Sequence, residues 1–352
     1  MTQKKEYDYS VVICRCNPPH LGHKDLIDFA LSQSEKVIIL LGSAHRPRTI
    51  KNPFKWHERM LMIESMYSVS VGKFIFKPLN DYMYNNQKWA MEVQNTIDLA
   101  IEEDNSDPDT AKVCLVGNIK DDSSWYLSIF PQFPLITSEF KKFVGKEILS
   151  ATQIRKIMFE SDTTETMKKL EPHVHKGVRL YIQEFMKTKE FGKLAMEHAY
   201  IRDYKKSWEA APYPPTFVTT DILLIQSGHV LLIERRAEPG RGLFAMPGGF
   251  LNQNELIVDG AIRELHEETR LKVPIPVLKG NIKEVKVFDN INRSSRGRTI
   301  THVVHIELPD GTLPRVKGND DASRAFWLPL KDIKADTFFE DHIDIIQSVV
   351  GV

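Results

Sequence analysis

The chain has 352 residues, more than one ordinary hydrophobic core accommodates and enough for two domains. Hydrophobic residues make up 42% and charged residues 27%, as in soluble globular proteins, and 47 Lys+Arg against 47 Asp+Glu leave no net charge, which argues against long nucleic acid as a partner but leaves small nucleotides open. Cys14, Cys16 and Cys114 make neither a disulfide framework nor a zinc pattern, no apolar signal core follows Met1 and no run reaches membrane-spanning length, so a cytoplasmic location without a membrane partner is expected.

Tyr9-Ser-Val-Val-Ile-Cys14 and Lys36-Val-Ile-Ile-Leu-Leu41 are apolar, β-branched runs that predict strands, and residues 24–32 between them carry leucine, isoleucine and phenylalanine at helical spacing. Strand, helix and strand over this length imply a βαβ unit opening a parallel sheet, whose ligands sit beyond the carboxyl ends of the strands. The turn after the first strand, Arg15-Cys16-Asn17-Pro18-Pro19-His20-Leu21-Gly22-His23, lacks both the Gly-x-Gly-x-x-Gly fingerprint and the Gly-Lys-Ser/Thr of a P-loop. His20 and His23 instead flank Gly22 at the helix start, where free N–H groups and the helix dipole favour an anion and two imidazoles can donate to phosphoryl oxygens. A pair of capping or surface histidines is the competing reading.

Further along, Gly42-Ser-Ala44 follows the second strand, Asn52-Pro-Phe54 leads into Glu58-Arg59, and Asp81 precedes Asn85, Asn86 and Trp89. Gly117-Asn118 ends a strand expected over 112–116, and Leu149-Ser150-Ala151-Thr152-Gln153-Ile154-Arg155 opens a helix. In this order the segments resemble the His-x-Gly-His nucleotidyltransferases and, over about residues 9–160, the archaeal-type nicotinamide mononucleotide adenylyltransferases. The resemblance implies a Rossmann-like, doubly wound parallel sheet and in-line attack of the mononucleotide phosphate on the α-phosphorus of ATP, giving NAD and pyrophosphate. It implies His20, His23 and Arg155 as catalytic residues, with Arg15, Asn17, Gly22, Arg59, Asp81, Trp89, Gly117, Asn118, Ser150 and Thr152 binding nucleotide. The competing reading for Arg59 is a pair with Glu58 or a helix cap, and Trp89 could equally be core. Such chemistry needs two anions positioned and transition-state charge neutralised, with Mg²⁺ on the triphosphate.

Residues 164–188 read as two helical stretches broken near Pro172, charge density rises over 188–208, and Ala211-Pro-Tyr-Pro-Pro215 excludes regular structure. This places a boundary near 190, with domains over 1–190 and 191–352. Residues 219–226 and 229–236 are apolar runs around Ser227-Gly228, a hairpin signal; 284–289, 300–308 and 325–328 read as strands and 339–350 as a closing helix.

Within this half, Pro247-Gly248-Gly249 supplies a turn with exposed carbonyls, Glu255 follows, and Arg263-Glu264-Leu265-His266-Glu267-Glu268 carries three carboxylates at helical spacing. Like charges on one helix face cost a few tenths of a kcal/mol per pair, no lysine lies among them, and a hard divalent cation is the natural remedy. A solvated acidic face is the bland alternative. The pattern Gly-x5-Glu-x7-Arg-Glu-aliphatic-x-Glu-Glu resembles the Nudix box, and the resemblance, over about 205–352, implies an α/β/α sandwich with a mixed sheet. It implies Glu264 and Glu268 as ligands of Mg²⁺ (or Mn²⁺), Glu267 as ligand or water-activating base, the Gly248 carbonyl completing the shell, and Gly249, Glu255 and Arg263 bracing loop and helix. Asp320 or Asp321 is an alternative base or a plain polar turn. Arg270 stands where that family usually has a glycine, at a left-handed helix end that a side chain resists by roughly 1–2 kcal/mol.

Both halves together resemble the fused adenylyltransferase and Nudix proteins of bacterial NAD metabolism, with ATP, nicotinamide mononucleotide, NAD and ADP-ribose as small-molecule partners and homo-oligomers left open. ADP-ribose would give AMP and ribose 5-phosphate. Two alternatives stay in view: a carboxy-terminal half that senses ADP-ribose without cutting it, and an amino-terminal half with a different acceptor, nicotinate mononucleotide or a cytidylyl transfer.

Overall fold

In the computed structural model, which describes residues 5–67, 72–118, 122–137 and 150–351, the first β-branched runs become strands buried on both faces. Leu149 and the first four residues lie outside the described residues. Strands β1 (Tyr7–Cys14), β2 (Ser34–Leu41), β3 (Phe74–Pro78), β4 (Val113–Gly117) and β5 (Leu135–Thr137) pair in parallel in the order β3-β2-β1-β4-β5. Around them stand α1 (Leu21–Gln33), α2 (Trp56–Glu64), α3 (Asn86–Glu103), α4 (Ala151–Glu160), α5 (Thr163–Leu170) and α6 (Lys176–Phe185). Val12, Val37 and Ile39 enter one core with Ile27 of α1, Met62 of α2 and Ile154 of α4. Val11, Ile38 and Leu40 enter another with Val93 and Ile97 of α3. Neighbouring residues of one strand thus feed opposite layers, which is why these strands read as continuous apolar runs. The strand order reverses at β1, with β2 on one side and β4 on the other, and the loops leaving β1 and β4 part there to open a crevice.

The charged stretch ahead of the prolines, just past the expected boundary, is an 18-residue helix, α7 (Lys189–Lys206). Its lysines and glutamates are good helix formers, and Leu194 and Ile201 anchor it by burial. The chain divides into two compact units within this helix, Met1–Ala195 and Met196–Val352.

The second unit is built on β6 (Thr216–Gln226), β7 (His229–Arg235), β8 (Phe244–Ala245), β9 (Gly248–Phe250), β10 (Ile282–Phe288), β11 (Arg298–Glu307) and β12 (Ala322–Pro329), with α8 (Ile257–Thr269), α9 (Ile275–Gly280) and α10 (His342–Val350). The sheet order is β10-β11-β6-β7-β12, with β8 beside β7 and β9 beside β6; only β6 and β11 run parallel, so the sheet is mixed. Ser227 and Gly228 at φ 47 and 71° make the β6–β7 hairpin turn, both left-handed as such turns require. Ala261, Ile262 and Leu265 press α8 onto Ile222, Leu224, Val304 and Ile306 of the sheet. The β6–β9 register sets Asp221 opposite Gly248, Thr220 opposite Gly249 and Thr219 opposite Phe250.

Candidate active sites

Beyond the ends of β1 and β4 lies a cleft of about 360 Å³, lined by Arg15, Asn17, His20, Gly22, His23, Gly117, Asn118, Ser150, Thr152 and Arg155. His20 immediately precedes α1 and His23 lies in its first turn, where unsatisfied N–H groups concentrate. Their ring centroids are 3.8 Å apart, and the His20 backbone N–H donates to His23 Nδ1 at 3.3 Å. A second helix start lines the same cleft at Ser150, Ala151 and Thr152, and there Ser150 Oγ accepts the Gln153 N–H at 3.3 Å and caps α4. Arg155 donates from Nη1 to the Asn17 carbonyl at 2.8 Å and from Nη2 to Thr152 Oγ1 at 3.0 Å. Burial, with Arg15 nearby, lowers its guanidinium to about 10, so it stays cationic at neutral pH.

Four of the expected nucleotide contacts have other engagements. Arg59 is 0% exposed and stands off the cleft wall. It donates from Nη1 to the carbonyls of Arg15 and, at 2.9 Å, Gly42, and from Nη2 to that of Ser43 at 3.4 Å. It shares the inward face of α2 with Met62 and Ile63, so helix spacing aims it at the strand ends. Glu58, its alternative partner, pairs with Arg48 at 2.7 Å. The Asn17 side chain donates to the Phe54 carbonyl at 3.0 Å and accepts the Phe54 N–H at 3.2 Å, lashing the Asn52-Pro-Phe54 turn to the histidine loop. Asp81 accepts the Ser43 N–H at 3.2 Å and lies 3.5 Å from Arg46. Trp89 packs among Trp125, Tyr126 and Phe130 with centroids 5.7–6.3 Å away. Lys51 and Tyr126, unmarked by any local pattern, line the cleft as well. So do Cys14 and Cys16, which correct the expectation that the cysteines stay unpaired: they form a disulfide across one intervening residue. A left-handed Cys16 (φ 48°) turns the chain back and brings the two Cα atoms to 5.4 Å, closer than an extended strand would hold them.

In the second unit the positive charge missing from the carboxylate cluster turns out to be Arg263. Its guanidinium reaches Glu255 at 2.7 and 2.9 Å, Glu264 at 2.9 Å and Glu267 at 2.8 Å. The arginine hydrogen bonds hold the Glu255 carboxyl down to about 2. Glu267 is exposed, whereas Glu268 is 4% exposed and accepts the Gly248 N–H at 2.9 Å. Burial pushes Glu268 well above the ordinary carboxylate range, helped by Glu264 and Asp221, and burial raises Glu264 too. A Cβ at Gly249 would lie 2.5 Å from Glu264 Oε1, so the turn leaves that carboxylate its space only because residue 249 is glycine.

This donor set fits a hard divalent cation. Glu264 and Glu268 are crowded, desolvated carboxylates laid against the backbone of Gly248 and Gly249. Among the described residues no three His, Cys, Asp or Glu side chains are gathered for a metal, so solvent, a backbone carbonyl and substrate phosphate would complete the shell, as Mg²⁺ prefers. Arg270 ends α8 in the left-handed region (φ 51°, ψ 27°) despite its side chain. The loop over the helix end accounts for this. Asn319 donates from Nδ2 to the Glu267 carbonyl at 2.9 Å and from its backbone to that of Glu268 at 3.0 Å, and its Oδ1 accepts from Arg270. Asp320, in the same loop at φ 50°, is close enough to raise Glu264 further.

Long-range residues invisible to the local pattern complete the setting. Arg235, Arg293 and Arg296 all oppose the burial of Asp221, whose carboxyl is raised, and Arg293 is locked to Asp341 at 3.0 and 3.1 Å. His342 Nδ1 accepts the Met246 N–H at 3.1 Å, and the Ile222 N–H donates to the Pro247 carbonyl at 2.8 Å, so the glycine turn is strapped on both sides.

Comparison with known proteins follows the same division. Residues 13–157 match the cytidylyltransferase-like family and residues 215–349 the NUDIX domain family. Over 162 residues the chain is 38% identical to a nicotinamide/nicotinic acid mononucleotide adenylyltransferase of Acinetobacter baylyi, covering 46% of this chain and 80% of that protein. Over 130 residues it is 32% identical to an ADP-ribose pyrophosphatase of Methanocaldococcus jannaschii, covering 37% and 70%. The crystal structure of a bifunctional NMN adenylyltransferase/ADP-ribose pyrophosphatase from Francisella tularensis, complexed with AMP and a manganese ion, is 33% identical and matches with a TM-score of 0.85 over 98% of this chain and 99% of that one.

Proposed function

This chain belongs to the family of bifunctional NMN adenylyltransferase/ADP-ribose pyrophosphatase proteins, and from that premise we propose that its first unit transfers an adenylyl group from ATP to nicotinamide mononucleotide, giving NAD and pyrophosphate, while its second hydrolyses ADP-ribose to AMP and ribose 5-phosphate. The observation that carries the reading is the presence, in one chain, of a histidine–arginine cleft at strand ends and a buried glutamate pair against a glycine turn.

In the transfer reaction His20, His23, Arg15 and Arg155 would receive phosphate oxygens, with ATP arriving as its magnesium complex. Two helix starts facing one cleft add N–H groups that need no reorganisation as charge builds on the α-phosphorus. Arg59 acts at one remove: by holding the carbonyls at the ends of β1 and β2 it fixes the loop that presents Arg15. Trp89 and Asp81 would approach the mononucleotide only from outside the described cleft lining, and their roles rest on resemblance.

In the hydrolysis, Glu264, Glu268 and the Gly248 carbonyl would hold Mg²⁺ or Mn²⁺, and Arg263 and Glu255 would keep helix and turn in register. The chemistry supplied by the bound cation is polarisation of the diphosphate and acidification of water. Glu267, exposed and held by Arg263, would serve as a ligand or accept a proton from water. Arg270 ends α8 in the left-handed region as a glycine would, so its side chain is no argument for the non-hydrolytic sensor.

Purified protein assayed with ATP plus nicotinamide mononucleotide and, separately, with ADP-ribose and Mg²⁺ tests both halves. His20→Ala is expected to lose transfer and keep hydrolysis, and Glu268→Gln the reverse, each by a hundredfold or more. Loss of both activities from either single substitution in a folded protein would refute two separate centres, and brisk turnover of another nucleoside diphosphate derivative with none of ADP-ribose would remove that substrate.

A further inference from the structure

Cys14 and Cys16 bracket Arg15 in the wall of the histidine–arginine cleft, and the adenylyl transfer proposed above makes no use of either sulfur. A bridge across a single residue closes the shortest of loops and removes little freedom from the unfolded chain, so stapling the fold is a poor account of it. Because it lines a cleft, the bridge lies within reach of small thiols. Its two sulfurs are not equally approachable, since Cys16 is 2% exposed and belongs to the core of Val12 and Ile154, whereas Cys14 is only half-buried.

What the bridge holds is the course of the loop. The Cys14 carbonyl accepts the Gly42 N–H at 3.0 Å, the Arg15 carbonyl accepts from Arg59, and the Asn17 carbonyl accepts from Arg155 at 2.8 Å, so the chain is tied before and after Cys16. Cys16 itself stands in the left-handed region, at φ 48°, which a side chain resists. Breaking the bridge frees Cys16 to leave that region, and with Cys14 and Asn17 tied to neighbouring elements the change falls on Arg15. That residue is exposed in the cleft wall, a Cβ at Gly42 would stand 3.5 Å from its Cγ, and its charge is near enough to Arg59, Arg155 and Tyr126 to act on all three. Among the cations of the cleft, Arg15 is the one whose aim depends on the bridge.

We infer that Cys14 and Cys16 form a thiol–disulfide exchange site for small monothiols such as glutathione and their disulfides, and that the bridged form binds the ATP phosphates more tightly than the dithiol. The inference rests on the transferase reading above for what the cleft receives. In the reducing direction a monothiolate attacks Cys14 Sγ, the S–S bond breaks, a mixed disulfide forms on Cys14, and Cys16 leaves as a thiolate that takes up a proton. A second monothiolate attacks the small thiol's sulfur in that mixed disulfide, releasing Cys14, which is protonated in turn, and the small disulfide. Two electrons pass from the two monothiols to the pair, and the small disulfide reverses both steps.

Equilibrating the full wild-type chain in glutathione buffers of graded ratio, then alkylating in denaturant and mapping by mass spectrometry, gives the bridged fraction, with buried Cys114 as an internal free thiol. ATP affinity by equilibrium dialysis is expected to rise about tenfold with that fraction, the worth of one well-aimed guanidinium on phosphate, while ADP-ribose hydrolysis stays level. Cys14→Ser and Cys16→Ser are expected to hold the weak affinity in every buffer, and Cys114→Ser to keep the wild-type response. Glutathione should be trapped on Cys14 in Cys16→Ser far more than on Cys16 in Cys14→Ser. An ATP affinity independent of the bridged fraction in wild type, a pair that bridges in no buffer, or a response that persists in Cys14→Ser would each overturn the inference. ATP binding that follows the bridge in a protein forming no NAD from nicotinamide mononucleotide would overturn the transferase reading alone.

Discussion

In and behind the amino-terminal cleft the fixed charges are cations tied to backbone oxygens, whereas at α8 they are carboxylates tied to a guanidinium and a backbone N–H. Arg155 in the cleft leans on the Asn17 carbonyl, and Arg59, buried behind its wall, on those of Arg15, Gly42 and Ser43. Glu268 leans on the Gly248 N–H, and Glu255, Glu264 and Glu267 on Arg263. On the functions proposed above, the difference follows from what each site would receive. A cleft for two phosphates needs positive charge already in place, and carbonyl oxygens are the only backbone groups that can hold a guanidinium. A ridge for a cation needs carboxylates kept apart until the cation arrives, and one arginine can separate three of them.

The contrast breaks most visibly where a buried charge loses its place. Removing Arg59 strands three carbonyls in the interior, so Arg59→Ala is expected to destabilise the first unit by about 3–5 kcal/mol, and Arg59→Lys to recover little because an ammonium cannot fork between two strand ends. Loss of adenylyl transfer after graded heating measures this, and an Arg59→Ala protein with unchanged heat resistance but weakened ATP binding would return Arg59 to the phosphate. At the ridge the guanidinium is part-exposed, so the effect falls on geometry more than on stability. Arg263→Ala should reduce ADP-ribose hydrolysis about a hundredfold and leave transfer untouched, with Arg263→Lys intermediate. Equal activity in the alanine and lysine variants would show that forked contact is not what matters.

What could be read from the chain before its structure follows the same divide between local and distant partners. The histidine turn, the βαβ start and the glutamate ridge are each written in consecutive residues whose spacing is their meaning. Arg59 is also visible, but its type says phosphate while its place beside Met62 and Ile63 says interior, and only packing decides between them. The cation that relieves the glutamates is not a lysine set among them but Arg263, which lies next to Glu264 and four residues before Glu267. α7 hid because a run of lysine and glutamate ahead of prolines has the composition of a linker as well as of a helix. Arg293, Arg296 and His342 reach Asp221 and the glycine turn from segments dozens of residues away, Arg235 reaches Asp221 from the next strand, and no periodicity within 247–271 refers to them.

His342 sharpens the comparison through pH, since it is a cation-capable group kept neutral. Its Nδ1 accepts from Met246, and burial, with Arg293, Arg235 and Arg296 close by, holds its pKa well below the usual value. The unfolded chain therefore binds a proton that the folded unit refuses once pH falls below the ordinary histidine range near 6.5, so stability is full above that pH and declines beneath it, by at most about 1.4 kcal/mol per pH unit for this one group. The predicted outcome is a steeper acid loss of the second unit in wild type than in His342→Gln between pH 6.5 and 5, read by urea unfolding. Parallel curves would mean that the imidazole is not the group being titrated.

The smallest expected effect tests why α8 tolerates Arg270. A left-handed arginine costs roughly 1 kcal/mol relative to glycine, while its contact with Asn319, itself bonded to the Glu267 and Glu268 carbonyls, offsets part of that cost. Arg270→Gly alone should change stability by less than about 1 kcal/mol, because backbone relief and the lost contact oppose each other. Asn319→Ala should destabilise by about 1–2 kcal/mol, since it releases the Glu267 carbonyl and leaves Arg270 strained. Combining them separates the two contributions: if Asn319 works partly by steadying Arg270, the double variant is more stable than the sum of the singles by about 0.5 kcal/mol or more. Strict additivity in urea unfolding would confine Asn319 to capping the helix, and the persistence of a side chain at position 270 would then owe nothing to the loop above it.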